Sequence, residues 1–259
     1  MRKRILITGH KGFLGSAIFS LLSQYHFVYG IDLQEGNDIF SMNGIAGIDV
    51  VVHCAALTSV EESFKVSEEY MRINILGTSH IVNLCLKGNV KLIYISSAAA
   101  SDPDSSPYAY SKAVAEDIAV SFINQLGGVI FVPYNIYSLK PKKGSLFYNY
   151  LNNSEITING KGKQTRDFIN IIDACNIIQA SIDDNWENEI VELGSGKGTS
   201  VQTIADIFAK ETGKKIVYNK TDFGIKNSVA DITYLRKHYK KPFRTNLKKD
   251  ISEMTTRIN

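Results

Sequence analysis

Along the chain, short runs of consecutive apolar residues alternate with longer stretches in which apolar residues return every three or four positions. The run "RILIT" at Arg4–Thr8 is followed by a helical pattern from Phe13 to Ser23, then "FVYGID" at Phe27–Asp32 and "DVVVHCAA" at Asp49–Ala56. A long helical stretch then ends at Leu86 and leads into "KLIYISS" at Lys91–Ser97. This strand, helix, strand rhythm predicts an α/β architecture in which a parallel sheet carries helices on both faces. Val50-Val51-Val52 and Leu92-Ile93-Tyr94-Ile95 show no polar alternation, as expected of strands buried on both sides. After Pro133 the rhythm loosens. Residues 144–162 are rich in Asn, Gly and Ser and mark the entry to a smaller lobe, "NEIVELGSG" reads as a further strand, and 201–213 reads as a helix ended by glycine.

Composition narrows the class without naming a chemistry. With 259 residues, 44% apolar and 21% charged, the chain can bury one large domain or a domain with a smaller lobe. Its net charge of +3 is small, and the basic runs "LKPKKG" near Lys140 and "LRKHYKK" near Lys240 read as solvated faces, so no nucleic acid is expected. Cys54, Cys85 and Cys175 are odd in number and far apart, which fits reduced thiols in a cytoplasmic protein and suggests no metal site. The basic start is followed by an apolar stretch that ends at Thr8-Gly9-His10, too short for a signal segment, and nothing later approaches the ~20 apolar residues of a membrane helix. No membrane partner is expected.

Chemistry enters directly after the first run, in "TGHKGFLGS". Gly9, Gly12 and Gly15 stand three apart between a strand and a helix. Glycine permits the tight turn and lets the backbone approach a pyrophosphate, whose charge meets the free N–H groups of the helix. The second strand ends at Asp32, where a carboxylate accepts from the diol of an adenosine ribose and repels a 2′-phosphate. No Arg follows in "DLQEGND" to receive such a phosphate. The cofactor expected is NAD. Further on, "SSPYAYSKAVAE" places Tyr108 and Lys112 four apart, on one face of a helix, where a phenol and an ammonium could share a substrate. A motif this short decides nothing alone. His10 and His53 read as loop or packing residues.

More motifs follow in a set order: "NILGT" at Asn74–Thr78, "YISS" at Tyr94–Ser97, "PYNIY" at Pro133–Tyr137, "GKGKQTRDFINIIDA" at Gly160–Ala174 and "VELGSGKGTSV" at Val191–Val201. Together with the glycine loop, "DVVVHCAA" and "YAYSK", they resemble the extended short-chain dehydrogenases/reductases, specifically the NAD-dependent epimerase/dehydratase family that acts on nucleotide sugars. The resemblance runs almost end to end. It implies a Rossmann-like, doubly wound core over residues 1–140, to which a segment at about 165–200 returns, and a small C-terminal substrate-binding lobe over 141–259. It also implies the catalytic set Ser97, Tyr108 and Lys112. Tyr108 would move the proton, Lys112 would hold the nicotinamide ribose and lower the phenol's pKa, and Ser97 would bind the reacting hydroxyl. Cofactor contacts implied by position are Gly9, Lys11, Gly12, Phe13, Leu14, Gly15, Asp32, Asp38, Ile39, Ala55, Ala56, Asn74, Tyr108, Lys112 and Pro133. Substrate contacts are Thr58, Ser97, Asn135 and Arg166, with Arg166 on the diphosphate unless it forms a structural ion pair with Asp167 or Asp173. The helices bearing Asn74 and Tyr108 pair as a homodimer interface in many such proteins.

Departures from the family pattern bear on the reaction. The loop between Ser97 and Tyr108 is shortened, an Arg common ahead of Asn135 is Val132, and an Arg often found ahead of a late Ala-Asp is missing from "FGIKNSVAD". The Asp-Glu pair that serves 4,6-dehydration in this family is replaced by Ala98 and Ala99. The order of expectation is 4-epimerisation of a nucleotide-diphosphate sugar through a 4-keto intermediate, then 4-keto reduction or 4-dehydrogenation, then dehydration. A dinucleotide-binding sensor without catalysis is the alternative outside enzymes.

Overall fold

The computed structural model describes residues 1–220 and 227–257. Residues 221–226, on which the missing Arg of "FGIKNSVAD" bears in part, lie outside them. The chain runs β1 (Arg4–Thr8), α1 (Phe13–Leu22), β2 (Phe27–Ile31), β3 (Val50–His53), α2 (Val60–Ser63), α3 (Ser67–Tyr70), α4 (Gly77–Gly88), β4 (Lys91–Ile95) and α5 (Pro107–Leu126). It continues through β5 (Val129–Pro133), β6 (Asn135–Tyr137), α6 (Leu146–Asn152), β7 (Ile156–Asn159), β8 (Thr165–Asn170), α7 (Ile171–Asp183) and β9 (Glu189–Leu193). Last come β10 (Gly198–Ser200), α8 (Val201–Thr212), β11 (Ile216–Asn219), β12 (Asn227–Ser228), α9 (Thr233–His238) and α10 (Leu247–Thr256).

The chain forms two compact units: Met1–Pro133 with Cys175–Glu192, and Tyr134–Ala174 with Leu193–Asn259. In the first, a six-stranded sheet has the order β2-β1-β3-β4-β5-β9. The pairs β1–β2, β1–β3, β3–β4 and β4–β5 are parallel, the doubly wound arrangement expected of the alternating pattern. Val51, Val52 and Ile93 are fully buried, which is why those runs carry no polar alternation. Leu6, Val51, Leu92 and Ile130 of the strands meet Ile81, Cys85 and Ala115 of the helices in one core.

The second unit has its own core, in which Phe147, Tyr150, Ile158, Phe168 and Phe208 meet. The strand β8 pairs with β6, β10 and β12 there. The division therefore falls at Pro133 and not at 140, and the returning stretch is 175–192, narrower than 165–200. The reason is β8, whose ladder partners all belong to the second unit.

The expected long helix ending at Leu86 is broken. After the short α2 and α3, Met71–Leu76 forms a π-helical turn before α4 begins. Such wider turns displace one residue from the 3.6 period and collect at functional sites. The helix predicted at 201–213 is present as α8, ended by Gly213 at φ +70°.

Candidate active site

The glycine loop is built as its spacing requires. Gly9 has φ +71°, and a Cβ there would lie 2.7 Å from the Ala55 backbone. A Cβ on Gly15 would lie 2.2 Å from the Gly9 carbonyl oxygen. Any side chain at either place would push the loop apart. Gly12 caps α1 and brings no side chain to the first N–H groups of the helix, where an anion could bind.

Asp32 is buried at the end of β2. Its Oδ2 accepts from the Lys11 amide at 2.9 Å and its Oδ1 from the Gln34 amide at 3.0 Å. Between this acid and the loop opens a cavity of about 330 Å³ that Gly9, Gly12, Asp32, Asp38, Ile39, Ala55 and Ala56 help to line. A cradle that excludes a Cβ, a capless helix start and an inward carboxylate together fit a dinucleotide. Lys11 enters through its amide, since its Nζ pairs with Glu35 at 2.6 Å. Phe13 and Leu14 occupy the first turn of α1, and Pro133 is the last residue of β5. Thr58 is exposed on the loop after β3.

Glu69, Arg72 and Ile73 also line the cavity, and sequence reasoning missed them. A signal was there, because positions three and four apart share a helical face. Asn74, expected at the cofactor, is 1% exposed and does something else. Its amide bonds with both the N–H and the carbonyl of Leu57 and donates to Ser111 Oγ, so it shapes the channel by holding the loop that lines it.

The helix α5 starts because Ser106 accepts from the Ala109 amide and Pro107 occupies the first position. This puts Tyr108 in the first turn and Lys112 in the second, on one face. Ser97 caps the 3₁₀ turn at Ala98–Ser101 by accepting from the Ala99 amide at 3.2 Å. Its hydroxyl also stands near enough to Tyr108 to pull the phenol's pKa down. Burial outweighs that effect, and the Tyr108 pKa stands above its ordinary value, with Tyr70 adding to the rise. Lys112 is not among the groups that move the phenol's pKa in this structure. Lys112 Nζ instead donates to Tyr94 Oη and to the Ile95 carbonyl, each at 2.8 Å. Burial brings its pKa down to about 7, against the opposing fields of Glu116 and Cys54. Tyr110, the neighbouring phenol, is 49% exposed.

Asn135 and Arg166 belong to the second unit, on paired strands. Asn135 donates to the Asp167 carbonyl at 3.0 Å, and Arg166 Nη1 to the Thr165 carbonyl at 2.8 Å. The Asp167 carboxylate accepts from the amides of Ser195, Gly196 and Ala230. Asp173 accepts from those of Arg244 and Thr245. Both acids brace loops, the task buried carboxylates perform when amides converge on them. A wider depression of about 570 Å³ on the second unit, lined by Glu211, Lys248 and Glu253 among others, carries none of this chemistry. Among the described residues no helix is long and apolar enough to cross a membrane.

Comparison with known proteins agrees with the geometry. The sequence profile described as "NAD dependent epimerase/dehydratase family" matches residues 5–194. A protein of Methanocaldococcus jannaschii assigned as a UDP-glucose 4-epimerase is 30% identical, over 83% of this chain and 85% of its own. A GDP-6-deoxy-D-talose 4-dehydrogenase of Aggregatibacter actinomycetemcomitans is 26% identical, over 80% and 79%. Among solved structures, a UDP-glucuronic acid 4-epimerase of Bacillus cereus, in complex with UDP-glucuronic acid and NAD, superposes with a TM-score of 0.86 at 22% identity, covering 98% of each chain.

Proposed function

The chain belongs to the NAD dependent epimerase/dehydratase family, and from that premise we propose that it interconverts the C4 epimers of a nucleotide-diphosphate sugar. The observation that carries the reading is the meeting of Ser97 with Tyr108 beside two alanines. Bound NAD supplies the acceptor and donor of the hydride at C4 of the sugar. Ser97 holds the C4 hydroxyl by a hydrogen bond, its own direction set by the Ala99 amide. Tyr108 takes the hydroxyl proton as the 4-keto sugar forms and returns it at the end, so the protein needs no other acid or base. Dehydration needs one more of each next to Ser97, and Ala98 and Ala99 can move no proton.

Asn135 and Arg166 are the proposed contacts of the sugar's diphosphate, a role suited to the planar donor fork of Arg166. The enzyme is proposed to work as a homodimer, because Leu76, Tyr110 and Val120 leave apolar side chains exposed on the π turn and α5. A 4-keto reductase or 4-dehydrogenase would use the same Ser97, Tyr108 and Lys112, and the talose 4-dehydrogenase relative favours keeping that second reading.

The test is to supply UDP-, dTDP- and GDP-hexoses with catalytic NAD. Interconversion of C4 epimers without net NADH is expected. Stoichiometric change in NADH would promote the second reading, and a 6-deoxy-4-keto product would overturn the exclusion of dehydration by Ala98 and Ala99.

A further inference from the structure

In the proposed epimerase Lys112 is the catalytic lysine, and the role of its neighbour Tyr94 rests on that reading. The Lys112 ammonium lies in the interior of the first unit, 3% exposed, beside Tyr94 at 1%. Two of its three N–H groups go to Tyr94 Oη and the Ile95 carbonyl, and Nζ also sits 4.5 Å from the centroid of the Tyr94 ring.

Beside the phenol runs a chain of buried polar groups whose hydrogens can each be placed. Thr78 Oγ1 donates to the Asn74 carbonyl at 2.6 Å, so it can only accept from His53 Nε2 at 3.2 Å. That places the imidazole proton on Nε2. His53 Nδ1 must then accept from Thr8 Oγ1 at 2.6 Å, and Thr8 Oγ1 accepts in turn from the Ala55 amide at 3.2 Å. The ring is neutral, because burial and then the charge of Lys112 push its pKa down to about 3. Thr78 acts on the Tyr94 phenol as well, opposing the rise that burial causes in its pKa. The phenol oxygen accepts from Lys112 Nζ, and its ring lies 5.8 Å from the His53 ring, centroid to centroid.

We propose that Tyr94 is a positioning residue for Lys112: its phenol, packed against His53 of the buried Thr78–His53–Thr8 chain, joins the Ile95 carbonyl in holding the lysine as an ammonium, with its third N–H left to meet a ligand. The other ionisable groups facing Lys112 are Glu116, one turn further along α5, and Cys54 and His53 at the end of β3. The Glu116 carboxylate is itself engaged by Ser96 Oγ. With burial so large, the ammonium at neutral pH depends on each acceptor it keeps, because an unmade bond to a buried charge carries the full desolvation cost.

The experiment is a titration of the cofactor-free protein labelled with ¹³Cε-lysine, the Lys112 signal being assigned by its loss in Lys112→Met. In Tyr94→Phe, which keeps the ring and its packing, the Lys112 midpoint is expected about one pH unit lower, equivalent to the loss of a charged hydrogen bond of about 1.4 kcal/mol. An unchanged or raised midpoint in Tyr94→Phe overturns the proposal. In turnover, Tyr94→Phe should lose about fivefold at pH 7, less at pH 6, with the sugar's KM unchanged, as a midpoint moved by one unit requires. A loss equal at every pH would mark a merely structural role and also overturn it. A shifted midpoint in a protein that turns over no nucleotide sugar would count against the substrate reading and not against the role of Tyr94.

Discussion

Asn74 Nδ2 donates to Ser111 Oγ at 2.9 Å, which ties the π turn at Met71–Leu76 to the helix that carries Tyr108 and Lys112. The same amide accepts from the Leu57 N–H at 2.8 Å and donates to the Leu57 carbonyl at 3.0 Å. Ser111 Oγ passes on to the Tyr108 carbonyl at 2.8 Å. One side chain thus holds the loop after β3 and the start of α5 in a common frame. The wider π turn is what brings it there.

Asn74→Ala should therefore cost about 2–4 kcal/mol, because it strips partners from buried groups of Leu57 and Ser111 at once. Urea unfolding measures it. Stability unchanged by the substitution would mean that the frame is held elsewhere.

NAD(H) should bind more tightly than NADP(H). Asp32 faces the cavity with its two oxygens already anchored by Lys11 and Gln34 amides, and Glu35 occupies the Lys11 ammonium that could otherwise receive a phosphate. Calorimetry with both cofactors should show the preference, and Asp32→Asn should narrow it. Tighter binding of NADP(H) by the unaltered protein would contradict this reading of the acid.

Tyr108→Phe should lower turnover by roughly a hundredfold or more, the usual share of a proton-transferring group, while NAD binding survives. Tyr110→Phe should leave activity nearly unchanged, since that ring is 49% exposed. Steady-state kinetics of the two variants side by side checks the assignment, and the reverse pattern would refute it.

His53 should make the protein acid-sensitive. Its pKa falls from the ordinary 6.5 to about 3 on folding, so between those values the unfolded chain holds the extra proton. Stability due to the neutral ring is complete above pH 6.5 and is lost as pH falls toward 3, with a slope of about 1.4 kcal/mol per pH unit. The stability gap between the unaltered protein and His53→Gln should accordingly shrink between pH 6.5 and 5. Parallel unfolding curves at both pH values would show that His53 is not the group responsible.

Much of the site is legible in the chain because it depends on short-range geometry. Gly9, Gly12 and Gly15 announce a loop where no Cβ fits, Asp32 falls at the end of a recognisable strand, and the four-residue spacing of Tyr108 and Lys112 is a property of any helix. The alternation of apolar runs with helical periods likewise determines the parallel sheet, since strands with no polar face must be covered on both sides. Ladder partners are a different matter. That β8 belongs with β6, β10 and β12, and so moves the boundary to Pro133, follows from pairings between residues far apart in the chain.

The direction of the Lys112 side chain is likewise beyond any local pattern. Tyr94 and His53 sit in apolar runs and read as packing, yet the β3–β4 register sets His53 opposite Tyr94, and α4 supplies Thr78 as a hydrogen-bond partner of His53. The sequence by itself determined which elements form and which of them carry the candidate residues, because propensity, periodicity and steric exclusion act over a few residues. Only the tertiary structure decided which hydrogen each buried polar group receives, because in an interior without water every donor must find its acceptor among whatever strands and helices have been brought beside it.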